Sequence, residues 1–251
     1  MPICQLCQLD RELRKSHIVP ESLHADLYND KHQLMAITGR GAYGRKLLQN
    51  GIREPLFCEA CEQHFNEYCE KPFLKQWVIA KPLPDTWATN DVHWVTVEYD
   101  SFKLFHLSVL FRAEVSTLPA FSKVSLGPHR EKLRKLLLTR DPGEVWQYPI
   151  FAYAVVHHET RRLISAVSQA QCSSFAGQRC YGFMYGGAEW WICVSSHRNA
   201  EFQAAGLQPN GEMPFYAVPW NELSIMQAAA SALRNPVPSP AVHRTLRDKA
   251  K

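Results

Sequence analysis

The sequence lacks any long, uninterrupted apolar segment. Although 46% of its 251 residues are apolar, no window approaches the roughly 20 apolar residues that a membrane-spanning helix needs. The first twenty residues also carry charges where a secretion signal would need an apolar stretch: Asp10, Arg11, Glu12, Arg14 and Lys15. We therefore expect a cytoplasmic protein that does not associate with membranes.

Net charge is also missing from most of the chain. The formal charge of +4 lies in residues 234–251, which hold five Lys or Arg and one Asp, and the preceding residues carry 23 charges of each sign. The tail is rich in proline and small residues, a composition that predicts disorder. A neutral folded body gives no electrostatic indication of a long nucleic-acid footprint.

Cysteine, in contrast, is plentiful, with eight residues. A reducing compartment disfavours disulfides, so metal binding or burial is the better expectation. Four cysteines form two C-x-x-C pairs: Cys4, Cys7, Cys58 and Cys61. A C-x-x-C turn presents two thiolates to one metal, and two such turns complete a tetrahedral zinc shell. We expect structural Zn²⁺ on these four residues, and the alternative is four buried free thiols.

The remaining cysteines are scattered along the chain. Cys69, Cys172, Cys180 and Cys193 are expected to be core residues or inert thiols, because a free cysteine behaves as a small hydrophobic residue.

The sequence divides into three regions. Residues 1–85 contain both C-x-x-C pairs and end near Pro82 and Pro84, which disfavour a continuing helix. Residues 86–233 form a second region, and residues 234–251 are the basic tail. The fold class predicted for the whole chain is α+β, with a small zinc-stapled domain followed by an α+β domain built on an antiparallel sheet.

The second region contains clear helix and strand patterns. Residues 102–115 are apolar on nearly all helix faces and predict a buried helix, whereas 128–138 predict an amphipathic one. Residues 221–234 predict a closing helix. Strands are predicted over 93–99, 148–156, 162–168, 180–185 and 189–196. We expect two hairpins, one turning through residues 157–161 and one through Gly186 and Gly187.

The order of motifs in the first region points to a family. A C-x-x-C pair is followed by Ser16-His17-Ile-Val-Pro and then by a second C-x-x-C pair that opens a helical segment. This order resembles the zinc-stapled HNH endonucleases of the ββα-metal fold. The resemblance puts His17 in the role of general base. Residues 1–150 also resemble uncharacterised bacterial proteins labelled HNH-endonuclease-like.

Phosphodiester hydrolysis gives independent reasons for these residue types. An imidazole, with an ordinary pKa of about 6.5, suits a base that activates water near neutrality. A divalent cation such as Mg²⁺, Mn²⁺ or Ni²⁺ stabilises the developing charge. The candidate ligands for this catalytic metal are Ser16, Asn50, Glu62, His64 and Asn66. Ser16 departs from the family pattern, which has an acidic residue or histidine there, and a neutral hydroxyl is a poor ligand for a hard dication.

Two charged segments surround these motifs. Arg40, Arg45, Lys46 and Arg53 are candidates for contacts with backbone phosphates, and an ordinary exposed loop is the alternative. Residues 54–70 carry five Glu and no Lys or Arg, which is typical either of a metal-holding helix or of a solvated acidic face.

The sequence leaves three functional hypotheses. The first is a metal-dependent HNH-type endonuclease that hydrolyses nucleic acid, with His17 as general base. DNA is the favoured substrate and RNA is the alternative. The second is a catalytically inactive zinc-stapled module that binds nucleic acid or, through residues 86–233, a protein partner. The third is a structural zinc protein that serves as a subunit of a larger complex.

Overall fold

The amino-terminal part of the chain forms two small antiparallel sheets. A computed structural model describes residues 2–31, 33–37, 45–49 and 52–227. Strand β1 (Leu13–His17) pairs with β4 (Arg53–Cys58), and β2 (Gln33–Ile37) pairs with β3 (Arg45–Gln49). The β1–β4 pair carries a bulge between Arg14 and Lys15. Two 3₁₀ turns, Glu21–Leu23 and Ala25–Leu27, follow β1.

A helical run begins directly after β4. It consists of α1 (Glu59–Phe65), a π-helical segment (Asn66–Glu70), α2 (Lys71–Phe73) and a second π-helical segment (Leu74–Ile79). Cys58 occupies the N-cap position of α1. The second C-x-x-C pair therefore lies at the junction between a strand and a helix, as its sequence predicts.

The rest of the described chain forms a six-stranded sheet and three helices. The strands are β5 (Val92–Thr96), β6 (Ile150–Val156), β7 (Gln171–Phe175), β8 (Gln178–Tyr185), β9 (Ala188–Val194) and β10 (Glu212–Pro219). The helices are α3 (Tyr99–Val115), α4 (His129–Thr139) and α5 (Ala200–Ala205), with 3₁₀ turns at Pro119–Phe121 and Trp220–Glu222. The predicted α+β class is confirmed.

The sheet is mixed rather than antiparallel. Its strand order is β5-β10-β6-β9-β8-β7, and β10 runs parallel to β6, with Tyr216 opposite Tyr153. The sequence analysis assigned no strand to β10, which contains Pro214 and Pro219. Pro214 lies opposite Trp94 of β5, before the pairing with β6 begins. Proline has no N–H to donate to a neighbouring strand, and it is tolerated at such a position.

The prediction of a strand over 162–168 was wrong. Only isolated bridges form there, Thr86 with Arg162 and Val156 with Leu163. The sequence also predicted no strand at β7, which pairs with β8 at the edge of the sheet and whose alternately exposed, polar residues gave no apolar run. Of the predicted helix 221–234, the structure describes a first turn at 224–227. The remainder, and the tail 234–251, lie outside the described residues.

The second hairpin was predicted correctly. Gly186 and Gly187 form its two-residue turn, with φ angles of +59° and +81°, in the region that glycine adopts without strain. A Cβ on Gly186 would lie 2.8 Å from Nε1 of Trp77, the nitrogen that donates to the Gly186 carbonyl. The turn therefore packs against the helical run of the first region.

This hairpin also joins two cysteines expected to be core residues or inert thiols. Cys180 and Cys193 lie opposite each other on β8 and β9 and are buried in the core, as expected, but they form a disulfide, which the sequence did not predict. Cys69 is a buried free thiol, and Cys172 is an exposed one.

One large hydrophobic cluster includes residues from both sides of position 85. The ring of Phe73 stacks on that of Phe105 with 3.7 Å between centroids, and Trp77 meets Trp190 edge-on at 4.8 Å. Helix α3 is buried on nearly all faces, as predicted. The division into domains 1–85 and 86–233 stays a prediction.

Among the helices of the described chain, none has the length and apolarity to cross a bilayer.

Candidate metal centre and the surroundings of His17

The four cysteines of the C-x-x-C pairs come together at the start of the helical run. The main chain of Cys4–Gln8 forms a turn closed by the bond from the Gln8 N–H to the Cys4 carbonyl, at 2.9 Å. The N–H of Gln5 donates to the Leu56 carbonyl and ties this turn to β4. Cys58 ends β4 and Cys61 lies in the first turn of α1.

The distances between these cysteines suit a single metal ion. Their Sγ atoms all lie within 4.8 Å of one another, and Sγ of Cys7 is 3.9 Å from Sγ of Cys58. A tetrahedral zinc ion with Zn–S bonds of about 2.3 Å places its sulfurs about 3.8 Å apart. Cys4, Cys58 and Cys61 are buried, and Cys7 is partly exposed. The donor set and its spacing therefore fit a structural zinc ion, and the predicted convergence is confirmed.

The electrostatics of the cluster favour a bound cation. Burial tends to raise the pKa of the Cys4 thiol, but N–H donors, above all that of Cys58, bring this pKa down to about 7. Burial and the neighbouring Cys4 raise the pKa of Cys61 far above its ordinary value. Four thiolates at such short distances repel one another, so binding of a dication must accompany their deprotonation.

Helix α4 packs against the first C-x-x-C turn. Nη1 of Arg134 donates to the Leu6 carbonyl at 2.6 Å, and Nη2 of Arg130 donates to Oε1 of Gln5 at 2.7 Å. Arg134 also interacts electrostatically with Cys7. A guanidinium beside a tetrathiolate offsets part of the negative charge that remains after zinc binding.

His17 lies at the end of β1, next to a carboxylate. Its Nε2 is 3.8 Å from Oε2 of Glu21, and the side chains of the two residues are 17% and 45% exposed. Arg53, which is exposed, is the partner of His17 in the β1–β4 register. His24 is close by but buried, and its Nδ1 lies 3.1 Å from the Pro20 carbonyl. Of these two histidines, His17 is therefore the more accessible to a substrate.

Ser16, the residue before His17 in β1, contacts Glu62 of α1. The hydroxyl of Ser16, which is buried, donates to Oε1 of Glu62. Burial raises the pKa of Glu62, and the Arg112 guanidinium and the Ser16 hydroxyl oppose this effect. In the sequence, only the family resemblance links Ser16 with Glu62. The structure places them in contact.

Arg112 of α3 completes this buried group. Its Nη2 forms an ion pair with Oε1 of Glu70, and its Nη1 donates to the His17 carbonyl at 3.1 Å. The guanidinium lies 4.7 Å from the centroid of the Phe65 ring. Glu62 and Glu70 therefore share an internal cation, and Ser16 is hydrogen-bonded to Glu62.

The other candidate ligands are not part of this group. Nε2 of His64 lies 2.8 Å from the Leu137 carbonyl, at the end of α4. Asn66 is exposed and begins the π-helical segment. Glu70, rather than Asn66, joins Glu62 around Arg112. Asn50 lies outside the described residues.

These contacts do not fit a catalytic divalent cation. The Ser16 hydroxyl donates a hydrogen bond to Glu62, and His64 contacts a carbonyl. The carboxylates of Glu62 and Glu70 share the Arg112 cation. In the part of the chain that the structure describes, the four cysteines are the only group of three or more His, Cys, Asp or Glu donors at metal-binding distances.

The proposed phosphate contacts are only partly described. Arg45 and Lys46 lie in β3, opposite Ile37 and Ala36 of β2. Arg53 is exposed in β4. Arg40 lies outside the described residues. The interpretation of this segment as a nucleic-acid contact stays a prediction.

Sequence reasoning missed three residues that shape the site. Glu21 had a local signal, since it is a carboxylate four residues after His17. Arg112 and Arg134 had none, because they contact His17 and Leu6 across 95 and 128 residues of chain.

Comparisons with known proteins do not add a family. No protein-family model matches the chain, and no curated protein or solved structure is significantly similar to it. The resemblance to HNH endonucleases therefore rests on the motifs and their order. The four-cysteine cluster is compatible with that family but does not identify it.

Proposed function

We propose that this protein hydrolyses phosphodiester bonds in nucleic acid, with His17 as general base. The observation that carries the proposal is the position of His17, which is accessible, lies beside the Glu21 carboxylate and sits on a strand tied to the cysteine cluster through β4. A base must reach a water molecule or hydroxyl group. A partly exposed histidine beside a carboxylate meets this need.

The neighbouring charges suit the proposed reaction. A carboxylate 3.8 Å from the imidazole stabilises the imidazolium that forms when His17 takes a proton. Arg53, exposed across the β1–β4 pair, supplies a cation for a phosphate oxygen. The zinc ion would hold the first C-x-x-C turn against β4 and α1 and so stiffen the support of His17. No step is assigned to a catalytic divalent cation, because the candidate ligands do not fit one.

A second function is favoured by a different observation. Ser16 is hydrogen-bonded to Glu62, and Glu62 and Glu70 interact with Arg112, so the positions expected for metal ligands are engaged inside the protein. This arrangement supports the alternative of an inactive zinc-stapled module that binds nucleic acid or a protein partner.

Cleavage assays with a matched histidine control distinguish the two functions. The substrates are supercoiled plasmid, single-stranded DNA and RNA, each with and without added Mg²⁺, Mn²⁺ or Ni²⁺. His17→Ala is expected to lower the cleavage rate by about 100-fold or more, the usual contribution of a general base. His158→Ala removes an exposed histidine elsewhere and is expected to leave the rate unchanged. Zinc content is measured for every variant.

Two results would contradict the proposal. One is wild-type protein that retains zinc and cleaves none of the substrates. The other is His17→Ala protein that cleaves as fast as wild type. Either result leaves the inactive module, and gel-shift titrations with the same nucleic acids then test binding.

A further inference from the structure

The most unusual charge in the described chain is that of Arg112. Its side chain is 1% exposed, yet it lies on α3, a helix whose neighbouring residues are almost all apolar. A buried charge is stable only when it is paired and hydrogen-bonded. The partners that pair it come from a different part of the chain, the β1 strand and the helical run that follows β4.

The contacts of Arg112 resemble those of a bound cation. Its guanidinium forms an ion pair with Glu70, interacts electrostatically with Glu62 and donates to the main-chain carbonyl of His17. Glu62 in turn accepts the hydroxyl proton of Ser16. The two carboxylates and the carbonyl are oxygen donors of the kind that a hard dication such as Mg²⁺ or Mn²⁺ takes in proteins.

We infer that the Arg112 guanidinium is the resident cation of the Ser16–Glu62–Glu70 group and takes the place of a divalent metal ion there. The inference concerns metal occupancy and goes beyond the proposed hydrolysis. If His17 acts as the base, it does so without a divalent cation held by Ser16 and Glu62. The Arg112 guanidinium also donates to the main-chain carbonyl of His17. A residue of the second region, on α3, thus holds the main chain of the proposed base in place.

The test measures how much Mn²⁺ the full-length, zinc-loaded protein binds. The concentration of free Mn²⁺ is read from its electron paramagnetic resonance signal. Wild type and Glu62→Gln are expected to take up Mn²⁺ equally weakly, since the Arg112 guanidinium already offsets the charge of Glu62 electrostatically. Arg112→Met is expected to gain about one Mn²⁺ ion per chain, because it leaves two carboxylates without a cation. Adding Glu62→Gln to Arg112→Met is expected to abolish this gain.

Wild-type uptake of Mn²⁺ that disappears in Glu62→Gln would overturn the inference, and so would a folded Arg112→Met that gains no ion. The comparison of wild type with Glu62→Gln needs no substitution of Arg112, so it decides the question even where Arg112→Met does not fold. Because the readout is metal uptake, its result does not depend on whether His17 catalyses cleavage.

Discussion

The cysteine cluster and the surroundings of His17 adjoin the same pair of strands, β1 and β4, but differ in what their side chains contact. In the cluster, four sulfurs converge within 4.8 Å of one another. Beneath His17, the oxygen donors converge on Arg112 instead. The chain thus has one place where ligands have the spacing to bind a metal cation and a second where the cation is part of the protein.

This difference shows how far a motif can be taken as a guide to chemistry. A C-x-x-C pair carries its ligands and their spacing within four residues, so two pairs nearly define a zinc site. A histidine motif specifies only the base. The charge that surrounds it depends on residues from distant parts of the chain, and here one of them is an arginine.

The largest effect is expected from breaking the cysteine cluster. Cys61→Ser should remove the bound zinc and lower the free energy of unfolding by about 5 kcal/mol or more, because structural zinc binding contributes directly to folding. Cys172→Ser, which replaces an exposed cysteine outside the cluster, should retain one zinc ion per chain. Metal analysis and urea unfolding check both variants. Equal zinc content in the two would mean that Cys61 is not a ligand.

A smaller but still large effect is expected at Arg112. Arg112→Met should lower the free energy of unfolding by about 3–5 kcal/mol, because it leaves the Glu70 carboxylate without its partner. The double variant Arg112→Met/Glu70→Gln should recover part of this loss, since only the Glu62 carboxylate then lacks a cation. Urea unfolding of both variants measures the difference. If the double variant is less stable than the single one, the unpaired carboxylate is not the cause.

The smallest effect is expected at Lys103, the other buried cation of α3. Its Nζ contacts the Tyr99 hydroxyl at 3.1 Å and the Glu144 carbonyl at 2.9 Å rather than a carboxylate, and burial lowers its pKa to about 8. Below pH 8 both the folded and the unfolded chain hold this proton, and the folded chain carries the full cost of a buried charge. Between about pH 8 and 10.5 the unfolded chain binds more protons, so this group makes the protein more stable as the pH rises.

Lys103→Met separates this contribution from those of other groups. Relative to wild type, the variant should be most stable near pH 7, and its advantage should shrink by up to about 1.4 kcal/mol per pH unit above pH 8. Unfolding free energies measured from pH 7 to 10 give the difference. A difference that does not change with pH would show that Lys103 holds its proton equally well in both states.

The sequence predicted the elements whose signal is local. The buried helix α3 and the amphipathic helix α4 follow from apolar spacing, and the Gly186-Gly187 turn follows from its need for positive φ angles. That turn also contained an unused signal. A two-residue loop sets the register of β8 and β9 and thereby places Cys180 opposite Cys193.

Elements that depend on distant partners could not be predicted. Strand β10 contains two prolines and forms a strand because β5 and β6 flank it. Arg112 looked like one polar residue in an apolar helix, since its partners Glu70 and His17 lie 42 and 95 residues away. The charge beneath His17 therefore became visible only in the folded chain.

The measurement that tests the central claim most directly is X-ray absorption at the zinc edge of the purified protein. The account predicts one zinc ion per chain, bound by four sulfurs at about 2.3 Å. Nitrogen or oxygen atoms in the first coordination shell, or protein that folds fully without zinc, would contradict it.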